Sequence, residues 1–269
     1  MGIVVAVMGF KGGVGKTTVA CTLAAGGARG GLSTLLIEAD AQGNASHLVN
    51  VEPYEGFYGL IIDQAPWDAV VSPVPPDFHG EGELYIVPAS SLQHIVESHD
   101  ETPGRVHARM QEARQLADLV IVDTSPGRTQ VHAGMFHSAD YLLLPTGCDM
   151  VSMKSLETTL EHFDQARENA KRYNSPVATI LGIIPNRFRA SEDVQQSNLA
   201  TLNDMFAREH HVYSLIRDLT VWRQAAQARQ SIFTFSPDNR PYARQQARSA
   251  RREFEPVLES VLALTRTAV

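Results

Sequence analysis

The sequence predicts an α/β fold: a doubly wound, mostly parallel sheet with helices on both faces. Three observations carry that expectation. Strand-like apolar runs near residues 3–8, 34–39, 84–88, 119–123, 140–145 and 178–184 alternate with helix-like stretches at 15–29, 105–117, 152–173 and 193–208, and such alternation builds parallel βαβ units. The first run, IVVAV, leads almost at once into a glycine-rich turn, KGGVGKTT, from Lys11 to Thr18. Two later runs end in carboxylates, TLLIEAD at Glu38 and Asp40 and LVIVD at Asp123. Carboxyl ends of strands are where ligands gather in open α/β sheets.

The glycine-rich turn is a phosphate loop. Wrapping backbone N–H groups around negative oxygens needs residues without a Cβ and a helix N-terminus behind them. Gly12, Gly13 and Gly15 supply the first, and TTVACTLAAGGA reads as the helix. Lys16 is placed to reach the β and γ phosphates, Thr17 to give its hydroxyl to Mg²⁺, and Val14 and Thr18 complete the loop. The ordinary pattern G-x-x-x-x-G-K-[ST] wants glycine at position 10, where this chain has Phe10. The form KGG-x-GKT is matched in full, with Lys11 as a second cation beside Lys16.

Residues 11–18 resemble the deviant Walker A loop of the ParA/MinD family of P-loop ATPases, the SIMIBI type. That resemblance implies ATP and Mg²⁺ as cofactors. It also implies that Lys11 is the signature lysine, reaching across a nucleotide-sandwich homodimer to the partner's ATP. The run TLLIEADAQGNAS resembles the family's switch I pattern D-x-D-P-Q-G-N, with Glu38 for the first aspartate, Ala41 for the proline, and Gln42, Gly43 and Asn44 in place. Asp40 is then the residue that orients the attacking water, near the metal. LADLVIVDTSPG resembles a Walker B strand followed by switch II, with Ser125 replacing a proline, so Asp123 is expected to hold Mg²⁺ through water. YLLLPTGCDMVSMKSLE resembles the next strand and helix, and ATILGIIPNRF ends in Asn186 and Arg187, where the family meets the adenine base. The closest likeness is to ParA/Soj partition ATPases. The loop begins so near Met1 that no N-terminal helix-turn-helix domain is expected.

At 269 residues with no linker, repeat or low-complexity tract, one domain over 1–269 is the expectation. Its interval 71–83, rich in proline and glycine, reads as the most loop-rich part of the chain, bridging to the strand at LYIVPAS. Apolar runs fall short of a membrane span and no cleavage signal opens the chain, so a soluble, cytoplasmic protein associated with the nucleoid is expected. Cys21 and Cys148 are the two cysteines. Neither follows the Asp123 strand, where the iron–sulfur relatives that share this loop need one, and neither belongs to a C-x-x-C.

The net charge of −7 argues against nucleic acid when taken whole, but it is unevenly spread. Residues 187–269 carry 12 cations, all arginine, against 9 acids. A basic helical region at about 219–266 places Arg244, Arg248, Arg251 and Arg252 near one helical face, with Arg189, Arg217 and Arg223 as further candidates. Mobile cations without base readout suit nonspecific double-stranded DNA, which ParA proteins bind as ATP dimers. The resemblance therefore implies an ATPase for plasmid or chromosome partition, slow until a ParB-type centromere-binding partner stimulates it. Alternatives are a ParA-like ATPase positioning another cargo, a MinD-like membrane-cycling regulator, or a metabolic enzyme of the same fold. The tail VLESVLALTRTAV, with one arginine, one glutamate and no aromatic, fits a lipid-seeking helix poorly.

Overall fold

The computed structural model describes residues 1–54, 56–190, 192–237 and 240–267. Asp238 and Asn239 of the basic segment, and Ala268 and Val269 at the end of the tail, lie outside the described residues. Chain order is β1 (Ile3–Val7), α1 (Lys16–Arg29), β2 (Ser33–Ala39), α2 (Asn44–Leu48), α3 (Gly56–Ile61), α4 (Trp67–Val70), β3 (Ser72–Pro73), α5 (Pro76–His79), β4 (Glu83–Val87), α6 (Gln93–Ser98), α7 (Thr102–Leu116) and β5 (Leu119–Thr124). There follow α8 (Gln130–Ser138), β6 (Tyr141–Gly147), α9 (Met150–Tyr173), β7 (Thr179–Asn186), α10 (Asp193–Phe206), α11 (Thr220–Gln227) and α12 (Pro241–Thr267).

The strands form one sheet in the order β3-β4-β2-β5-β1-β6-β7. All neighbours are parallel except β3 with β4. β1 alternates between two cores, because successive strand residues point to opposite faces. Val4, Ala6 and Met8 pack with α3, α7, α8 and α9, while Ile3, Val5 and Val7 pack with α1, α5 and α12. Burial on both sides is why β1 and β5 read as unbroken apolar runs.

The chain departs from β1 through α1 toward β2 on one side, and β6 lies on the other, so the carboxyl end of β1 is a switch point in strand order. That is where the phosphate loop sits. α1 packs closely beneath it: a Cβ at Gly26 would meet Leu258 of α12. The loop-rich interval 71–83 also holds the short elements β3 and α5. The basic C-terminal region at about 219–266 contains two helices, α11 and α12.

Candidate nucleotide site

The loop from Gly9 to Gly15 turns the chain from β1 into α1. Gly15 precedes α1 with φ 93°, a left-handed conformation that glycine adopts without steric cost. A Cβ there would also strike Asn186 Nδ2. Asn186, at the end of β7, donates from Nδ2 to Val14 O at 2.8 Å, and Arg187 Nη1 donates to Gly13 O at 2.6 Å. Both residues border the nucleotide cavity. Their polar groups, expected to meet the adenine base, here brace the carbonyls of the phosphate loop, which leaves the loop's N–H groups for an anion.

Lys16 is 5% exposed and donates to Lys11 O at 3.0 Å. Burial pushes its pKa down, against the pull of Asp123 and Asp40. Asp123 is fully buried and neither carboxylate oxygen accepts a well-formed hydrogen bond. Desolvation raises its pKa to about 8; the nearby Thr17 hydroxyl and Lys16 oppose the rise, and Glu38 and Asp40 add to it. An orphaned buried carboxylate calls for a cation. Among the described residues no group of three or more His, Cys, Asp or Glu forms a metal cage. A hydrated Mg²⁺ fits this donor set: Thr17 would give its hydroxyl, nucleotide oxygens and waters would fill the shell, and Asp123 and Asp40 would balance the charge.

Asp40 is 7% exposed and accepts a hydrogen bond from Gln42 N at 3.0 Å, fixing the turn into α2. Glu38 does something else. Its buried carboxylate accepts from Ala45 N at 2.5 Å, Ser46 N at 3.1 Å, Ala89 N at 3.0 Å and the Ser46 hydroxyl. Burial raises its pKa and these four bonds oppose the rise. The longer acid thus ties α2 to the loop after β4 and offers no ligand to the metal.

The cavity holds about 560 Å³ and runs from Gly12, Gly13 and Lys16–Thr18 to Asn44, His47 and Leu48 on one side. On the other side it reaches Ile216, Asp218, Trp222 and Phe254. Trp222 stands edge-on to Phe254 with ring centroids 6.3 Å apart. The apolar end suits a planar base, the glycine-rich end its phosphates. His47, Leu48, Asp218, Trp222 and Phe254 escaped the sequence reading. A lone tryptophan in the arginine-rich segment was the one available signal.

Phe10 occupies the entry to the loop. Its ring stacks edge-on against His132 at 5.3 Å and tilts against His162 at 5.5 Å, and its carbonyl accepts from Gly127 N at 2.8 Å. Phe10 therefore joins the phosphate loop to the segment after β5. Burial holds the His132 pKa down at about 3, so its imidazole is neutral. Lys11 turns away from its own loop: Nζ donates to Asp149 Oδ1 at 3.0 Å and Ser152 Oγ at 2.8 Å at the start of α9.

The arginines sort into three sets. Arg217 pairs with Glu253 at 2.5 Å, and Asp218 holds Arg189 at 3.0 Å and Arg223 at 3.4 Å. Arg217 and Arg223 line the nucleotide cavity. Arg251 is half-buried and donates to the carbonyls of Ile232 and Phe235, each at 2.8 Å. This corrects its placement with the exposed cations, because it closes the segment between α11 and α12. Arg244, Arg248 and Arg252 remain exposed on one face of α12.

Fold and site together define a P-loop nucleotide-binding α/β protein. The profile of the CobQ/CobB/MinD/ParA nucleotide binding domain matches residues 5–231, and the chain belongs to that family. It is 28% identical over 206 residues to the chromosome-partitioning ATPase Soj of Thermus thermophilus, covering 76% of this chain and 77% of that one. It is 22% identical over 216 residues to the chromosome partitioning protein ParA of Myxococcus xanthus, covering 78% and 73%. Among solved structures, the ATP complex of a Cyanothece McdA variant superposes with TM-score 0.77 at 20% identity, covering 97% and 96% of the two chains. MinD of Pyrococcus horikoshii with Mg-ADP superposes with TM-score 0.72 at 16% identity, covering 98% and 99%.

Proposed function

We propose that this protein is a ParA-like, Mg²⁺-dependent ATPase that dimerises around ATP, binds DNA without sequence preference, and releases it when a ParB-type partner stimulates hydrolysis. The observation that carries the reading is Lys11. Lys16 already serves the loop of its own chain, while the Lys11 ammonium is turned away from that loop onto α9, which supports a phosphate target on another copy. The rim beside it exposes Gly12, Gly13 and Pro126, with Met150 and Val151 65% and 68% exposed, a surface a second copy would cover.

Hydrolysis follows from positioning and charge neutralisation. Lys16 and the partner's Lys11 offset the charge on the phosphates, Thr17 would hold a Mg²⁺ ion that would add to this neutralisation when bound, and Asp40 orients water. A single copy lacks the partner's lysine and is slow. Light scattering tests this directly: the wild type becomes dimeric at saturating ATP, and Lys11→Ala stays monomeric at every ATP concentration. A wild type that remains monomeric would overturn the sandwich.

For DNA, the exposed face of α12 is the proposed surface. Arg244→Ala with Arg248→Ala should weaken binding in ATP and reduce the slope of log affinity against log salt by about 2 per chain. An unchanged slope would move the surface elsewhere. The MinD-like membrane reading loses support from packing. Val257 and Val261 of α12 are fully buried, and Leu258 lies against Gly26 of α1, so the tail's apolar stripe already faces the protein. No described helix is long and apolar enough to cross a membrane.

A further inference from the structure

Lys11 is held by a built contact. Its ammonium has three N–H donors and three acceptors within reach: Asp149 Oδ1 at 3.0 Å, Asp149 Oδ2 at 3.3 Å and Ser152 Oγ at 2.8 Å. The acceptors are themselves fixed. Asp149 caps α9 by accepting Ser152 N at 2.9 Å, and Ser152 Oγ donates to Asp149 Oδ2 at 2.5 Å. α9 runs on for 24 residues to Tyr173, so the docking point is the end of a long rigid element. The Lys11 and Asp149 side chains are 30% and 52% exposed. Such a pair is weak and screened by salt, strong enough to bias a side chain and weak enough to be displaced.

We infer that the contact of Lys11 with Asp149 and Ser152 is an intramolecular latch that competes with a second copy's nucleotide phosphates for the same ammonium, and so sets the nucleotide concentration at which the protein dimerises. The inference rests on the ATP-sandwich reading. An ammonium whose three donors are spent on Asp149 and Ser152 has none for a phosphate, and each dimer must open two latches. Phosphate oxygens carry more charge than one exposed carboxylate, so bound nucleotide on the partner wins the competition, at the cost of a higher half-point.

Asp149→Asn separates the latch from the helix cap, because asparagine caps a helix as well as aspartate does but carries no charge for Lys11. Ser152→Ala removes the third acceptor. The measurement is dimer fraction by light scattering across a titration of non-hydrolysable ATP analogue with Mg²⁺, at low and high salt. Asp149→Asn should dimerise at an analogue concentration roughly three- to tenfold lower than wild type, Ser152→Ala should shift the same way by less, and high salt should narrow both gaps. With Lys11→Ala as background, Asp149→Asn should give no gain. Wild-type half-points in both variants, with a normal wild-type dimer, would overturn the latch and leave the sandwich standing. Monomers throughout, with analogue binding intact by tryptophan fluorescence, would overturn both.

Discussion

Replacing Asp123 with asparagine should make the metal-free protein more stable at pH 8 while sharply slowing the proposed Mg²⁺-dependent hydrolysis. The two effects share one cause. Asp123 is fully buried with no well-formed hydrogen bond to either oxygen, and desolvation first of all lifts its pKa from 3.8 to about 8. A group whose folded pKa lies above its unfolded pKa contributes stability that is present below the unfolded value and lost as pH rises through the folded one. For Asp123 that window runs from about pH 4 to about pH 8. The asparagine variant has no proton to lose, so without metal its melting temperature should exceed the wild type's at pH 8 by roughly 3–8 °C. The gap should close toward pH 4. Mg²⁺ with ATP should raise the wild-type melting temperature far more than the variant's, and phosphate release by the variant should fall by about 10²–10³-fold. A metal-free variant that melts below wild type at pH 8 would show that the buried charge is not the liability described.

The second large effect is at Asp40. Asp40→Ala should slow phosphate release by about 10²–10⁴-fold and leave the ATP dimer accumulated, because in the proposed mechanism association depends on Lys11 and the phosphates while the water-orienting carboxylate acts later. Asp40 also accepts Gln42 N, so alanine additionally loosens the turn into α2. Asp40→Asn keeps that acceptor and isolates the charge. Both variants should give dimers by light scattering that persist long after the wild-type dimer has consumed its ATP. Wild-type turnover by Asp40→Asn would remove the carboxylate from the mechanism.

Six of the seven strands were legible because burial on both sides of a parallel sheet leaves continuous apolar runs such as LVIVD. β3 was not, since a two-residue antiparallel edge strand, Ser72–Pro73, has no pattern to detect. The helices α2–α6 span only four to six residues each, too few for a helical period to emerge. α8, QVHAGMFHS, hides behind its glycine and histidines. Phe10 and Glu38 showed as departures from a family pattern, but their consequences did not. The ring of Phe10 is explained by His132 and His162, and the length of Glu38 by the backbone of Ala45, Ser46 and Ala89.

Local sequence is enough to specify the strand, phosphate loop and helix of residues 3–29, since glycine freedom and the spacing of Lys16 and Thr17 act within a few residues. It also placed Asp40 and Asp123 at strand ends, where local composition marks the exit from a buried strand. What each side chain does with the groups it meets depends on long-range packing. Lys11 rests on an acid 138 residues away, and Asn186 and Arg187 brace a loop 172 and 174 residues behind them. The arginines look alike in sequence; Arg217 and Arg223 at the cavity, Arg251 on carbonyls and Arg244, Arg248 and Arg252 on the outer face of α12 differ because sheet order and helix packing bring different acceptors to each. Spacing along a chain constrains neighbours within a turn or two of helix, whereas the partners of a long cation are chosen by which strands and helices lie side by side.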